Sequence, residues 1–367
     1  MRLTKAVIVI SILITICSQL SAQMTDNWSS FRGSYLMSGV AKSSLSAKPK
    51  LLWTYETKAS IESTAAIVGD TVYVGTMKGQ LLALNMIGGK LRWKFTAKDS
   101  ISSSPCVTGN MLYFGDESGT FYAINRVTGK PIWKFKAKDK IISSAISVYG
   151  VVIFGSYDYN LYCLDAVTGK PKWVFEASAQ VHCSPCIAEG SVIIAGCDGD
   201  IRCIDIKTGK EKTKTHIDTN FSAAPAYHSG MVFTGAISGV YLGMRVTDGK
   251  IIWSSKEKSS DGIYASAAVM DNLAIFASRS RKVFRVDADT GKTRWSFTSR
   301  DSIDSSPVIA GNSVYVGSDG GELYGLNLAN GKRTWLFKAG ADIKASPAIS
   351  RGRMVIGTDD GAIYCFK

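Results

Sequence analysis

Outside its N-terminus, this 367-residue sequence has no window in which apolar residues recur with the 3.6-residue period of a helix, which leaves strands as the building material. It also lacks a nucleophile, a histidine and an aspartate at any local spacing that would mark a hydrolytic site. No basic stripe alternates with aromatic residues, so a nucleic-acid partner is not expected. The eight cysteines form no disulfide framework. Cys163, Cys203 and Cys365 share a position that holds Ala83, Ala123 and Gly325 elsewhere, and Cys106 and Cys186 share one with Ala66, Ala226 and Ala348. They read as small buried residues. Cys183 and Cys186 have the spacing of a redox pair, but they fall on a strand rather than at a helix start, so neither redox nor metal chemistry is expected of them.

What is present is a repeat. Trp53, Trp93, Trp133 and Trp173 are 40 residues apart; the next slot holds Thr213, and Trp253, Trp295 and Trp335 follow at steps of 40, 42 and 40. A fixed period of this size marks a repeat architecture. One unit contains four short β-rich runs, such as 103–108, 111–115, 120–125 and 131–135, separated by Gly109-Asn110, Ser118-Gly119 and Thr128-Gly129-Lys130. Four antiparallel strands in about 40 residues make a propeller blade. Strands A to D are named from the hub outwards. The recurring Trp on strand D reads as a packing residue between blades, and Thr213 marks the weakest such contact.

The chain enters on an isolated strand D, residues 50–57, and ends on a strand C, residues 362–366. Pairing the two completes a last blade and leaves no open edge. Strand A starts near residues 63, 103, 143, 183, 223, 265, 305 and 345, so the expected fold is an all-β, eight-bladed β-propeller of four-stranded antiparallel blades over residues 50–367.

Residues 1–22 read as a signal peptide: Arg2 and Lys5, an apolar run from Ala6 to Cys17, then Ser21-Ala22 as a cleavage site. Lipidation at Cys17 is the alternative, although Ile16 before it is large. The expected location is therefore periplasmic or secreted. Residues 23–49 form a lead-in, with Trp28, Phe31, Arg32 and Gly33, expected to pack across one face of the ring. The net charge is +13, part of it carried by Lys90, Lys130, Lys170, Lys210, Lys250, Lys292 and Lys332 in one C–D turn position. These lysines suit either solvation or attraction to an anionic surface.

Strand A is innermost, so the residues before its Ser-Ser pair should line the mouth of the central channel. Two columns, two residues apart, should point the same way. One contains Lys140, Gln180, Asn220 and Asp342; the other contains Glu62, His182, Tyr264, Asp304 and Lys344. These nine are the binding candidates. They differ from blade to blade, as a specific surface requires. Glu62, Asp304 and Lys344 fall on consecutive blades and could form a charge cluster, with a solvated funnel as the plain alternative.

Ser305-Ser306-Pro307, Val314-Tyr315-Val316-Gly317-Ser318-Asp319-Gly320, Leu323-Tyr324-Gly325-Leu326-Asn327, Asn330-Gly331-Lys332 and Trp335 together resemble the PQQ-like repeat, over residues 50–367. That family includes pyrroloquinoline-quinone alcohol dehydrogenases and the BamB-type propeller of outer-membrane assembly, which binds no quinone. The resemblance implies that a dehydrogenase would need adjacent cysteines and a Trp around the quinone, calcium ligands, an Asp base and large covering insertions. This chain has no Cys-Cys dipeptide and no such insertions, and its tryptophans occupy the packing slot or the lead-in. The expected role is that of an exported, monomeric binding or scaffold propeller for a protein or peptide partner in the cell envelope. PQQ and calcium are not expected, nor is a metal site. Quinoprotein oxidation is the alternative, and a third reading, carbohydrate or envelope-polymer binding, rests on Tyr157 and Tyr159 as exposed aromatics in one B–C loop.

Overall fold

The computed structural model describes residues 26–258 and 261–367; the signal peptide and Cys17 lie outside the described residues. The strands form eight separate four-stranded sheets. In blade 1, strands A to D are Ala66–Val68, Thr71–Gly75, Gln80–Asn85 and Leu91–Thr96, and every pairing is antiparallel. Blade 8 takes Ala348–Ser350, Arg353–Gly357 and Ala362–Phe366 from the C-terminus and Leu51–Glu56 from the N-terminal side. Trp53 lies opposite Cys365 and Tyr55 opposite Ile363, so the two ends of the repeat close the ring.

Strand A is shorter than its sequence suggests. In blade 2 it is Cys106–Thr108, without the preceding Ser103, Ser104 and Pro105. Proline cannot donate to a ladder, and the serines satisfy the backbone in another way. Ser103 Oγ donates to the Gly115 carbonyl at 2.8 Å and accepts from the Gly115 N–H at 3.0 Å. The second hydroxyl bridges blades. The N–H of Ser104 donates to Ser144 Oγ, and that of Ser144 to Ser184 Oγ. The same bond runs from Thr64 to Ser104, Ala224 to Ser266, Ser266 to Ser306, Ser306 to Ser346 and Ser346 to Thr64. A hydroxyl belt thus circles the axis, and Ala224 supplies no hydroxyl for the step from blade 4 to blade 5.

The outer layer is built on the tryptophans. Trp133 Nε1 donates to the Ala166 carbonyl of the next blade at 3.2 Å, and a Cβ on Gly169 would fall 2.6 Å from its ring. Trp53, Trp93, Trp173, Trp253 and Trp295 make the equivalent bond. The ring therefore lies against the glycine of the following C–D turn, which only a residue without Cβ at positive φ allows. Trp335 faces the blade made from both termini and packs on Phe366 at 5.4 Å. Between these layers, Gly115 admits Ile141 of the next blade, with a virtual Cβ contact of 2.2 Å.

The lead-in does more than cross a face. It follows the inner edges of the A strands, where N–H groups would otherwise be unpaired. Trp28 pairs with Ile67 of blade 1. The carbonyls of Ser29, Tyr35, Leu36, Ser38 and Gly39 accept from Val107, Ile187, Tyr227, Val269 and Ile309, on blades 2, 4, 5, 6 and 7. A short 3-10 turn, Phe31–Gly33, lies between its bonds to blades 2 and 4. This is the face of the A–B and C–D turns, and all seven turn lysines on that face are exposed.

Candidate functional site at the channel mouth

On the opposite face the hub opens into a cavity of about 160 Å³. Its wall is the inner column: Glu62, Ser102, Ile142, His182, Ser222, Tyr264, Asp304 and Lys344. Beneath them lie the belt hydroxyls, and Phe31 of the lead-in contributes to the lining from below. Lys140, Gln180, Asn220 and Asp342 are not among the lining residues, which corrects the expectation that both columns face the cavity. Their column sits farther out because its backbone is tied to the B–C loops: the carbonyls of Lys140, Asn220 and Asp342 accept from the N–H groups of Tyr157, Ile237 and Asp359.

The rim has two unlike sectors. From blade 6 through blades 7 and 8 to blade 1 it is a network of ion pairs. Arg279 grips Asp304 through two hydrogen bonds of 2.7 and 2.8 Å, and its guanidinium lies 3.6 Å from the centre of the Tyr264 ring. Lys344 meets Asp359 at 2.6 Å and Glu62 at 3.9 Å. The anticipated cluster of Glu62, Asp304 and Lys344 is therefore two clusters, with Asp304 taken by Arg279. Burial raises the Glu62 carboxyl above its usual range, against the pull of Lys344. Burial also raises Asp319, with Asp304 and Asp342 adding to the effect.

On blades 3 and 4 the rim is aromatic and basic. Tyr157 Oη and His182 Nδ1 are 2.7 Å apart, and the Lys140 ammonium lies 4.4 Å from the centre of the Tyr157 ring. Burial, then Lys140, holds the His182 imidazole below its usual pKa, which favours the neutral ring. Tyr157 is half-buried and engaged in this way, so it is not the exposed aromatic that the carbohydrate reading takes it for. Tyr159 is exposed and takes φ 73°, where the equivalent Gly79 and Gly119 have φ 71° and 83°. Cys183 and Cys186 are buried free thiols, both pushed up by burial and held protonated.

Sequence reasoning missed a third column, the residue two beyond the end of strand B. It supplies Tyr157, Asp319 and Asp359, and in blade 6, where strand B runs one residue longer to Ser278, Arg279 directly after it. Its variation from blade to blade was the available signal.

The family model described as outer membrane protein assembly factor BamB matches residues 43–156, 126–254, 194–300 and 237–367. The chain belongs to this family. Among curated proteins no relative matches at the sequence level. Among solved structures, BamB from Moraxella catarrhalis superimposes with TM-score 0.77 at 17% identity, over 87% of this chain and 99% of that one. A quinohemoprotein alcohol dehydrogenase from Comamonas testosteroni gives TM-score 0.79 at 15% identity, over 94% and 80%. The computationally designed Ika8 protein gives 0.77 at 16% identity, over 90% and 99%. At these identities the likeness is one of fold.

The dehydrogenase neighbours raise the question of whether the mouth fits a quinone and calcium. Calcium takes roughly six to eight oxygen ligands, whereas the rim carboxylates Asp304 and Asp359 are already tied to Arg279 and Lys344. The cavity of about 160 Å³ is also smaller than the roughly 300–1,000 Å³ usual for small-molecule sites. Asp319, whose buried Oδ1 has no hydrogen-bond partner among the described residues, is the rim carboxylate left over.

Proposed function

We propose that this chain is a non-catalytic binding propeller of the cell envelope, exported with cleavage after Ala22, that presents its channel mouth to a protein or peptide partner and works without PQQ or calcium. The observation that carries the reading is the divided rim above a narrow cavity. An ion-paired sector around Glu62, Asp304, Arg279 and Lys344 faces an aromatic, basic sector of Lys140, Tyr157 and His182. An extended chain laid across it meets acceptors on one side and donors on the other, and it binds on the rim rather than passing through. Membership of the BamB family supports an envelope role. The exposed turn lysines of the other face suit an anionic surface.

The test is a photoreactive residue at Gln180, on the rim, and another at Lys212, on the outer strand of blade 4, in living cells. Defined adducts from position 180 that disappear with Lys344→Ala or His182→Ala support the reading. Equal labelling from both positions, or none from the rim, overturns it.

A further inference from the structure

Arg32 is fully buried at the hub. Its Nη2 donates to the carbonyls of Ala267 and Pro307, at 3.0 and 2.6 Å. Those residues directly follow Ser266 and Ser306 of the hydroxyl belt, so the guanidinium sits about one strand residue below the belt, a step of roughly 3.3 Å. Gly39 packs against it so closely that a Cβ there would fall 1.9 Å from Nη2. Its Nε and Nη1 have no hydrogen-bond partner, and no carboxylate lies within 4 Å among the described residues. A guanidinium carries five N–H donors, so three of them are unanswered. A buried charge without a counter-charge is strongly unfavourable. Burial alone accounts for the lowering of this group to about 9.

The belt makes the second observation. Each Oγ accepts an N–H from the preceding blade, as Ser306 Oγ does from Ser266 at 3.0 Å. Ser266 and Ser306 are at least nine-tenths buried and line the cavity, and their hydroxyl protons have no acceptor among the described residues. An Oγ that has given a lone pair to an N–H is left with its proton to donate. The cavity thus carries hydroxyl donors at its floor, and the unmatched cation lies beneath that floor, outside the cavity lining. Such a site takes an acceptor that carries negative charge. A metal cation is disfavoured by the guanidinium, and a neutral water leaves the charge unbalanced.

We infer that Arg32, with the hydroxyls of Ser266 and Ser306, forms a binding site for a small anion on the propeller axis, and that the bound anion locks the lead-in into the ring. The ligand is a halide or a compact carboxylate, since the site lies inside the hub and both the belt and Phe31 narrow the approach. This goes beyond the proposed role of the rim and does not depend on it.

The test uses the mature full-length protein. Its thermal midpoint is followed in chloride, bromide and acetate, each against the salt of a bulky excluded anion at equal ionic strength. Bromide-grown crystals are examined for anomalous signal. A bromide peak at Arg32, with a midpoint rising by about 2 °C for each tenfold rise in free anion above Kd, supports the site. Response to halides alone identifies a halide site, and response to acetate as well identifies a carboxylate site. Arg32→Gln should abolish the anion dependence. If that variant fails to fold, Ser306→Ala should weaken apparent anion affinity several-fold in a folded protein. A midpoint insensitive to anion identity together with no bromide peak, or a peak that persists in Arg32→Gln, overturns the inference.

Discussion

The junction between blades 2 and 3 and the junction between blades 4 and 5 are written in the same repeat and built from different chemistry. At the first, Phe121 and Phe154 stack at 3.8 Å, Trp133 docks on the next C–D turn, and Ser104 donates to Ser144 across the belt. At the second, Thr213 stands in the tryptophan slot and its buried hydroxyl has no partner. Ala224 interrupts the belt. The slot that holds Tyr122 and Tyr162 in blades 2 and 3 faces the preceding blade; at the second junction it is Leu242, while in blade 4 itself it is Arg202, paired with Asp198, Asp200 and Glu211 on the side of blade 3. His216 joins that network by bonding Asp200 at 2.7 Å. The belt hydroxyl and the tryptophan are thus both missing at one place, where Thr215 Oγ1 donates to the Gly249 carbonyl at 2.6 Å instead, while the apolar layer between them, with Ile201, Val232 and Leu242, is kept. A repeat protein's stability is a sum of units and junctions, so the ring has a weak junction that its regular outline conceals.

Four substitutions bear on this contrast. Trp133→Ala should cost the most, about 3 kcal/mol by urea unfolding, whereas Thr213→Ala should cost well under half of that. Equal losses would erase the distinction. Thr213→Trp places an indole where the Val246 carbonyl is the next-blade acceptor, 33 residues on, and should stabilise by about 1–2 kcal/mol. Destabilisation would mean that Thr215, packed against Gly249, has closed the slot. Ala224→Ser restores the belt hydroxyl and should add about 1 kcal/mol, the worth of one hydrogen bond. Tyr159→Gly, at the left-handed position of blade 3, should gain about 1 kcal/mol in thermal unfolding. It leaves both junctions unchanged and serves as the control.

Acidity gives the smallest effect. The Asp165 carboxylate accepts from the N–H and hydroxyl of Thr168, and these bonds hold its pKa at about 2. A lowered carboxylate pKa favours the folded turn above the unfolded value, roughly 4, and that support is lost as pH falls towards 2. Amide exchange at Thr168 should therefore quicken between those limits. Asp165→Asn should remove the dependence, because Asn125 already makes the same backbone bonds in blade 2.

The fold was legible because it repeats. The tryptophan period gave the blades, and the orphan strand D with the final strand C gave the closure. The wall of the mouth followed from strand A being innermost. What escaped was whatever does not obey the period-2 rule. Arg279 and Asp359 stand on B–C loops, where spacing does not set side-chain direction. The outer column was misplaced because the backbone ties to those loops cannot be seen in residue types. The lead-in occurs once, so no second copy exposed its path or marked Arg32 as buried.

The central claim is a binding mouth that needs no quinone. The most direct measurement is calorimetric titration of the mature protein with PQQ and calcium, run beside a dye-linked alcohol-oxidation assay. The account predicts no binding heat and no turnover, with the rim variants unchanged in both. Micromolar binding accompanied by turnover would contradict it.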